Sequence, residues 1–309
     1  GTLFGRNTPA GVVKFESARP TWEPEGFARL SGGRFGTLDF EGAISGPLAG
    51  DRVAGRLSLL YQRRNDYIDN AFPAGEDDFG GFDEFAGRLQ FLLEPNDRFS
   101  ALVKLHGHYL DGGAQLFRAN IIEPGSNELV DDFDRQEVAQ DGRKNLEMHN
   151  AGASVTARWR LDGLTVTSVT AWETVGNTAR GDVDGGFGAV FAPPSGPGLI
   201  PFPSETQDDV TDHHQLTQEL RIAGEPSDAW GWQAGVFLFH EDLEMENLSF
   251  DTLDDGVRNG LVRQEQETRS AALFANGRVQ VTERLRLRAG LRVSDEDKDF
   301  EARDRKSVV

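Results

Sequence analysis

The chain has 309 residues, no cysteine and a net charge of -19. A disulfide scaffold and thiolate-ligated zinc are thereby excluded. The acidic balance argues against nucleic acid, whose phosphates want a basic surface. No apolar run reaches the roughly 20 residues of a membrane-crossing helix. The mean hydropathy of -0.48 is compatible with crossing strands, because a membrane barrel alternates polar and apolar residues.

In chain order, the opening Gly1–Val13 has neither an initiator Met, a signal-peptide core nor a strand period, and the reading expects a cut at this end. Alternation then begins. Weak strands fit 26–34 and 37–46. At 53–61, Val53, Leu57, Leu59 and Tyr61 share one face, against Arg56 and Ser58. At 85–93, Phe85, Leu89 and Phe91 oppose Arg88 and Gln90. At 99–109, Val103, Leu105 and Tyr109 oppose Lys104, His106 and His108. Arg135–Lys144 has room for a turn or two of helix, and none is expected there. At 149–161, Ala151, Val155 and Trp159 oppose Ser154, Arg158 and Arg160. Weaker strands follow at 164–174, 214–223, 232–243 and 265–281. At 285–293, Leu287, Leu291 and Val293 oppose Arg286, Arg288 and Arg292. Period two gives each strand one apolar and one polar face. The fold class is therefore all-β, an antiparallel up-and-down series of about eleven strands.

The connections alternate. Short turns near Gly46–Asp51, Glu94–Asp97, Asp162-Gly163, Gly224–Ala229 and Thr282–Arg284 separate long polar segments near 68–84, 110–147, 175–213 and 249–263. Membrane barrels keep short periplasmic turns and long outer loops; compact soluble domains seldom hold several long loops. Trp159, Trp230 and Trp232 lie beside short turns, and Tyr61, Tyr67, Tyr109 and Trp172 toward long loops, as two aromatic girdles would.

The first residues carry a resemblance. Gly1-Thr2-Leu3-Phe4-Gly5-Arg6-Asn7-Thr8-Pro9-Ala10-Gly11-Val12-Val13 resembles the closing segment of the plug of TonB-dependent outer-membrane receptors, with Gly1, Gly5, Arg6, Asn7 and Gly11 as its motif positions. The usual Gly-Gly is here Ala10-Gly11. Phe27–Leu48 resembles the first barrel hairpin, and Arg63–Asn70 the strand end that follows. The resemblance implies a plugged, 22-stranded transporter barrel, of which about eleven strands is half. Residues 1–22 would close the plug and 23–303 would form the N-terminal half of the barrel. Asp304–Val309 match what a sequencing adapter encodes, and are expected to be read-through. It also implies active uptake of a scarce ligand across the outer membrane, a ferric siderophore by default, with saccharide, haem and cobalamin as alternatives. The energy would come from a TonB–ExbB–ExbD complex acting through N-terminal segments upstream of Gly1. Two rivals share the composition: a passive porin-like barrel, and a soluble all-β carbohydrate-binding module. The plug-like motif speaks against the first. The lack of a blade-like repeat speaks against a propeller form of the second.

No Gly-rich phosphate loop, nucleophile elbow or His-Glu-x-x-His motif is present, and the reading is of a non-enzyme without cofactor. His106 and His108 share a face and could bind a transition metal; polar lumen residues is the plainer reading, and no metal site is assigned. His213 and His214 should point to opposite faces. The acidic clusters at 76–78, 131–134, 208–212 and 241–255 lack the spacing of a calcium-binding helical loop and read as solvated charge. Ligand contacts are expected from loops 110–147 and 175–213 and the strand ends beside them, with His106, His108, Arg118, Arg180 and Asp182 as candidates. A basic lumen lined by Arg56, Arg88, Arg158, Arg160, Arg278, Arg286, Arg288 and Arg292 would draw an anionic ligand inward.

Overall fold

The computed structural model describes residues 15–72, 78–113, 116–118, 121–123, 125–131, 133–185, 205–227, 229–251 and 256–306. The strands are β1 (Glu25–Gly32), β2 (Leu38–Ala49), β3 (Val53–Arg64), β4 (Asp69–Asn70), β5 (Phe82–Asn96), β6 (Phe99–Gly112), β7 (Glu137–Val138), β8 (Asn145–Leu161), β9 (Leu164–Asp182), β10 (Glu205–Ser227), β11 (Trp230–Asp251), β12 (Val257–Thr282) and β13 (Leu285–Lys306). Eleven of them form one sheet in the order β1-β2-β3-β5-β6-β8-β9-β10-β11-β12-β13, each pairing antiparallel with its neighbours in the chain of hairpins. The sheet is open, with β1 and β13 at its edges. The all-β meander expected from the alternation is the fold found. Around Arg135–Lys144 the chain forms no helix; β7 pairs there in parallel with β4.

The register fixes the faces. Leu57 stands opposite Leu89, Leu89 opposite Leu105, and Val103 opposite Val155. Further on, Leu273 stands opposite Val293 and Val279 opposite Leu287. All belong to one continuous apolar face. Its residues have no core above them: Val155, Leu273, Leu287 and Leu291 are exposed. The opposite face carries Arg56 beside Gln90, Arg88 beside His106, Arg158 beside Thr167, and Arg278 beside Arg288. An apolar face that none of the described residues covers, backed by a polar one, is the inverse of a packed soluble sandwich. It matches a sheet whose apolar side meets lipid.

Aromatic rows bound the apolar face. Phe40, Tyr61, Phe85 and Tyr109 are consecutive cross-strand partners over β2, β3, β5 and β6. At the short-turn end, Phe99 packs on Trp159 with ring centroids 5.0 Å apart. On β6 the two rows are separated by the stretch Phe99–Tyr109, the roughly 9–11 residues a tilted strand needs to cross a bilayer. Trp172 lies midway along β9 and stacks on His214, ring centroids 6.2 Å apart. A register irregularity between Val210 and Gln215 accompanies it, and His213 turns instead to Glu241 on the polar face, at 3.6 Å.

Beyond the outer aromatic row the strands are longer than the alternation indicates. β9 continues to Asp182, β10 starts at Glu205, β11 reaches Asp251 and β12 starts at Val257, so both ends of each of the expected loops 175–213 and 249–263 are strand. The reason is that both faces meet water there, so polar residues occupy both and the period disappears. The ladder is held instead by its backbone bonds and by cross-strand pairs such as Arg263 with Glu244 and Asn247 with Asp208. β10 likewise runs through the expected turn at 224–229 to Ser227. β13 includes Asp304, Arg305 and Lys306, paired with Val262, Leu261 and Gly260.

At the short-turn end, residues 17–22 lie against the polar face. Ser17 Oγ accepts from Arg88 (2.6 Å), Ala18 O accepts from Gln90 Nε2 (2.8 Å), and the Thr21 amide donates to Ser45 Oγ (2.9 Å). Trp22 packs on a cluster of Ala54, Leu92 and Leu102, the apolar members of that face nearest the turns. The motif positions Gly1, Gly5, Arg6, Asn7 and Gly11 lie outside the described residues.

Candidate functional site

The β1–β2 turn and the connections β3–β5 and β6–β8 meet over one end of the sheet and form an open cavity of about 610 Å³. Its walls are Arg34, Phe35, Tyr67, Ile68, Leu116, Arg118, Ile121, Arg135 and Gln136. The short parallel bridge β4–β7 ties the two long connections together, with the Asp69 amide donating to Gln136 O at 2.7 Å. Beneath it, the side chain of Gln140 is fully buried, its Nε2 donating to Phe117 O and its own carbonyl accepting from Asn70. A loop with an internal polar core of this kind holds its shape.

The cavity is cationic and aromatic. Phe35 stacks on Tyr67 at 4.7 Å, and the Arg64 guanidinium lies 4.9 Å over the Tyr67 ring. Phe35 takes a φ of 59°, a left-handed conformation rarely adopted by bulky residues and a form of strain that gathers at binding sites. Arg118 donates from Nη2 to Arg135 O (2.8 Å) and sits 5.6 Å over Phe133, while its Nε is buried without a hydrogen-bond partner. Among the described residues no carboxylate pairs with Arg34, Arg118 or Arg135. The cavity can therefore take an anionic ligand with flat or aromatic groups.

Of the five residues singled out from the sequence, only Arg118 lines this cavity. His106 and His108 lie side by side on the polar face of β6 but reach in opposite directions. His106 Nε2 meets Glu173 on β9 at 3.1 Å; His108 Nε2 meets Glu84 on β5 at 2.8 Å, with Asn150 donating to its Nδ1 at 3.3 Å. Each imidazole is occupied by its own carboxylate, so the two do not form a metal-binding pair. Arg180 and Asp182 stand at the far end of β9. Arg180 pairs with the buried Glu205 and covers the Phe250 ring at 3.8 Å. Asp182 is buried, and desolvation followed by the neighbouring Asp184 and Asp141 carboxylates pushes its carboxyl up to about 8. Arg34, Phe35, Tyr67 and Arg135 escaped the sequence reading as contacts. Phe35 and Tyr67 lie far apart in the chain, and only the folded rim joins them.

Below the cavity, the polar face is basic toward the short turns. Arg158 interacts with Arg19, Arg160 and Arg221, and Arg278 stands directly opposite Arg288. A second depression, of about 730 Å³, lies on the apolar face between Val166, Leu220, Val236, Leu273 and Leu291; it is part of the same exposed apolar surface.

No family model matches the chain. Solved structures do. The ferric yersiniabactin uptake receptor FyuA of Yersinia pestis superposes with a TM-score of 0.71 at 14% identity, over 94% of this chain and 42% of that one. The ferric-catecholate import receptor Fiu of E. coli K12 gives 0.70 at 15% identity, over 98% and 45%. The ferripyoverdine receptor of the Pseudomonas aeruginosa outer membrane gives 0.63 at 15%, over 94% and 39%. The open sheet thus has the fold of part of the antiparallel barrel of TonB-dependent outer-membrane receptors, and this chain spans less than half the length of each of these three.

Proposed function

We propose that the chain is the end of the plug, at residues 1–22, and the first half of the barrel, at 23–303, of an energy-coupled outer-membrane transporter. Its ligand is an anionic iron chelate of the siderophore type. The observation that carries this reading is the arrangement around the polar face. Its short-turn end is occupied by residues 17–22, as a plug would occupy a lumen, and its loop end is roofed by the Arg34–Arg118–Arg135 cavity. A passive porin needs an open lumen, and a carbohydrate-binding module needs a covered apolar face. Neither rival explains both ends.

No bond is made or broken in this mechanism. The ligand is held at the rim by guanidinium and ring contacts. The basic lumen face, with Arg88 and Arg158, lowers the cost of moving an anion inward. Movement of the plug, drawn by a TonB–ExbB–ExbD complex through segments upstream of Gly1, opens the path. The test is uptake of radiolabelled ferric chelates by iron-starved cells lacking other receptors and expressing the intact receptor. Uptake should saturate and should stop when the proton-motive force is dissipated. Uptake that persists without it identifies a passive channel.

A further inference from the structure

The hairpin turn at the rim cavity holds a residue that its geometry disfavours. Phe35 and Gly36 take φ of 59° and 64°, and the Thr37 amide donates to Arg34 O at 3.2 Å. Two left-handed residues inside such a bond make a type I′ turn, whose central positions favour Gly, Asn and Asp. Gly36 meets that demand, and a Cβ there would come 2.5 Å from Asn65 Nδ2. Phe35 does not, since a bulky side chain in this conformation works against folding. The ring is nonetheless held in place. The Asn65 amide donates to Phe35 O at 2.9 Å, and Tyr67 stacks on the ring at 4.7 Å. Guanidiniums flank the ring pair, Arg34 at 5.2 Å from the Phe35 centroid and Arg64 at 4.9 Å from that of Tyr67. The pair is not a core: Phe35 is 37% exposed, and both rings line the open cavity together with Arg118 and Arg135. Backbone strain kept at a cavity wall points to a role in binding.

We propose that Phe35 and Tyr67 form a ring platform that selects chelates with aryl donor groups, catecholate or phenolate, over hydroxamates and aliphatic carboxylates. The inference rests on the rim cavity being the ligand site. A catecholate ring is flat and electron-rich, and its anionic oxygens lie at one edge. Its face can stack on the exposed Phe35 ring while its oxygens accept from the guanidiniums of Arg34, Arg118 and Arg135. The same electron-rich face suits a guanidinium laid over it. A ferric trihydroxamate offers neither a ring nor a net negative charge. A ferric citrate complex offers charge without a ring. Only an aryl chelate uses both halves of the wall, so Phe35 is the specificity-determining residue and the guanidiniums supply the attraction common to all anions.

The test titrates the intact receptor in detergent with the ferric complexes of a synthetic tris-catecholamide, a trihydroxamate and citrate, followed by quenching of intrinsic fluorescence. The tris-catecholamide complex should bind at least tenfold tighter than either of the others. Phe35→Asn supplies a residue the turn favours, so it should melt no lower than the parent while binding the tris-catecholamide complex at least tenfold more weakly. Phe35→Leu, which keeps apolar bulk without a ring, should lose the preference as well. Equal affinities, tighter binding of citrate or trihydroxamate, or an unchanged preference in Phe35→Leu overturns the proposal. A Phe35→Asn receptor that melts below the parent also overturns it, because the ring would then be kept for packing on Tyr67. Uptake of the citrate or trihydroxamate complex that needs the proton-motive force, with the tris-catecholamide complex refused, overturns this inference and leaves the transport reading standing. Tight binding of the tris-catecholamide complex with uptake that ignores the proton-motive force does the reverse.

Discussion

His106 Nε2 stands 3.1 Å from Glu173 Oε2 across an intervening strand, over Gly152. The bridge exists because Gly152 has no side chain: a Cβ there would come within 2.4 Å of His106 Cε1 and still closer to Glu173. Gly152→Ala must push the two side chains apart. It should therefore cost as much as losing the pair, roughly 0.2–1 kcal/mol for partly exposed groups. His106→Ala in the Gly152→Ala background should cost almost nothing more. Urea unfolding in detergent of the two single variants and the double variant measures this, and full additivity would show that the pair contributes nothing.

The two faces of one strand give the next prediction. Leu89 lies on the apolar face between Leu57 and Leu105. Leu89→Arg should cost roughly 2–4 kcal/mol if it sits near the bilayer midplane. Thr156→Arg, on the polar face beside Leu102, should cost well under 1 kcal/mol, because a wet lumen solvates the charge. Folding into lipid vesicles, followed by intrinsic fluorescence, separates the two. Equal costs would contradict the assignment of faces.

The rim cavity predicts a graded loss of affinity. Arg118→Ala should weaken binding of an anionic ferric chelate by roughly ten- to a hundredfold, the 1.5–3 kcal/mol of a charge-assisted hydrogen bond. Tyr67→Ala should weaken it too, by removing the ring on which Phe35 and Arg64 rest. His106→Ala should change equilibrium affinity little, since its imidazole is already engaged by Glu173. Equilibrium binding with tritiated or fluorescent chelate checks all three, and a larger effect at His106 than at Arg118 would move the site from rim to lumen.

The segment at the short-turn end predicts a stability effect. Trp22 covers Ala54, which is fully buried, together with Leu92 and Leu102. Trp22→Ala should destabilise by at least about 2 kcal/mol, somewhat below the loss for a fully enclosed tryptophan. Trp22→Phe should recover most of that. Urea midpoints in detergent would show it. An unchanged midpoint would mean that residues 17–22 are only loosely laid on the sheet.

Strand positions were legible because lipid on one side and water on the other force a period of two onto the chain, as in Leu57, Leu59, Leu89 and Phe91. The same physics hid the strand ends. Where Asn177, Asp208 and Arg263 have water on both sides, nothing constrains their alternation, and strands read as loops. The site was less legible still. Arg118 stood out as a loop cation, but its partners Phe35, Tyr67 and Arg135 come from three connections. Asp182 stood out as a loop charge and is in fact buried, because Asp141 and Gly142, some forty residues earlier in the chain, close over it. The pair His106 and His108 was read as polar lumen residues that share a face. The shared face was legible, but the carboxylate each imidazole meets, Glu173 for His106 and Glu84 for His108, comes from the strand register.

The last prediction concerns the open edges. β1 and β13 each pair on one side only among the described residues. β13 spans 22 residues, and its apolar face shows Leu287, Leu291 and Val293 to the surroundings. In hydrocarbon, every unpaired N–H and C=O costs several kcal/mol. A row of them outweighs the roughly 5–15 kcal/mol by which domains are stable. In water the same edges invite pairing with other chains. The 309-residue chain produced alone should therefore enter inclusion bodies, and in detergent it should lack the heat-modifiable gel mobility of closed barrels. Supplying the remaining strands, as a separate polypeptide refolded together with it, should restore that mobility by pairing both β1 and β13. A chain that is monodisperse without detergent and melts cooperatively would mean that its apolar face is buried by some other arrangement, and the membrane reading would fall with the prediction.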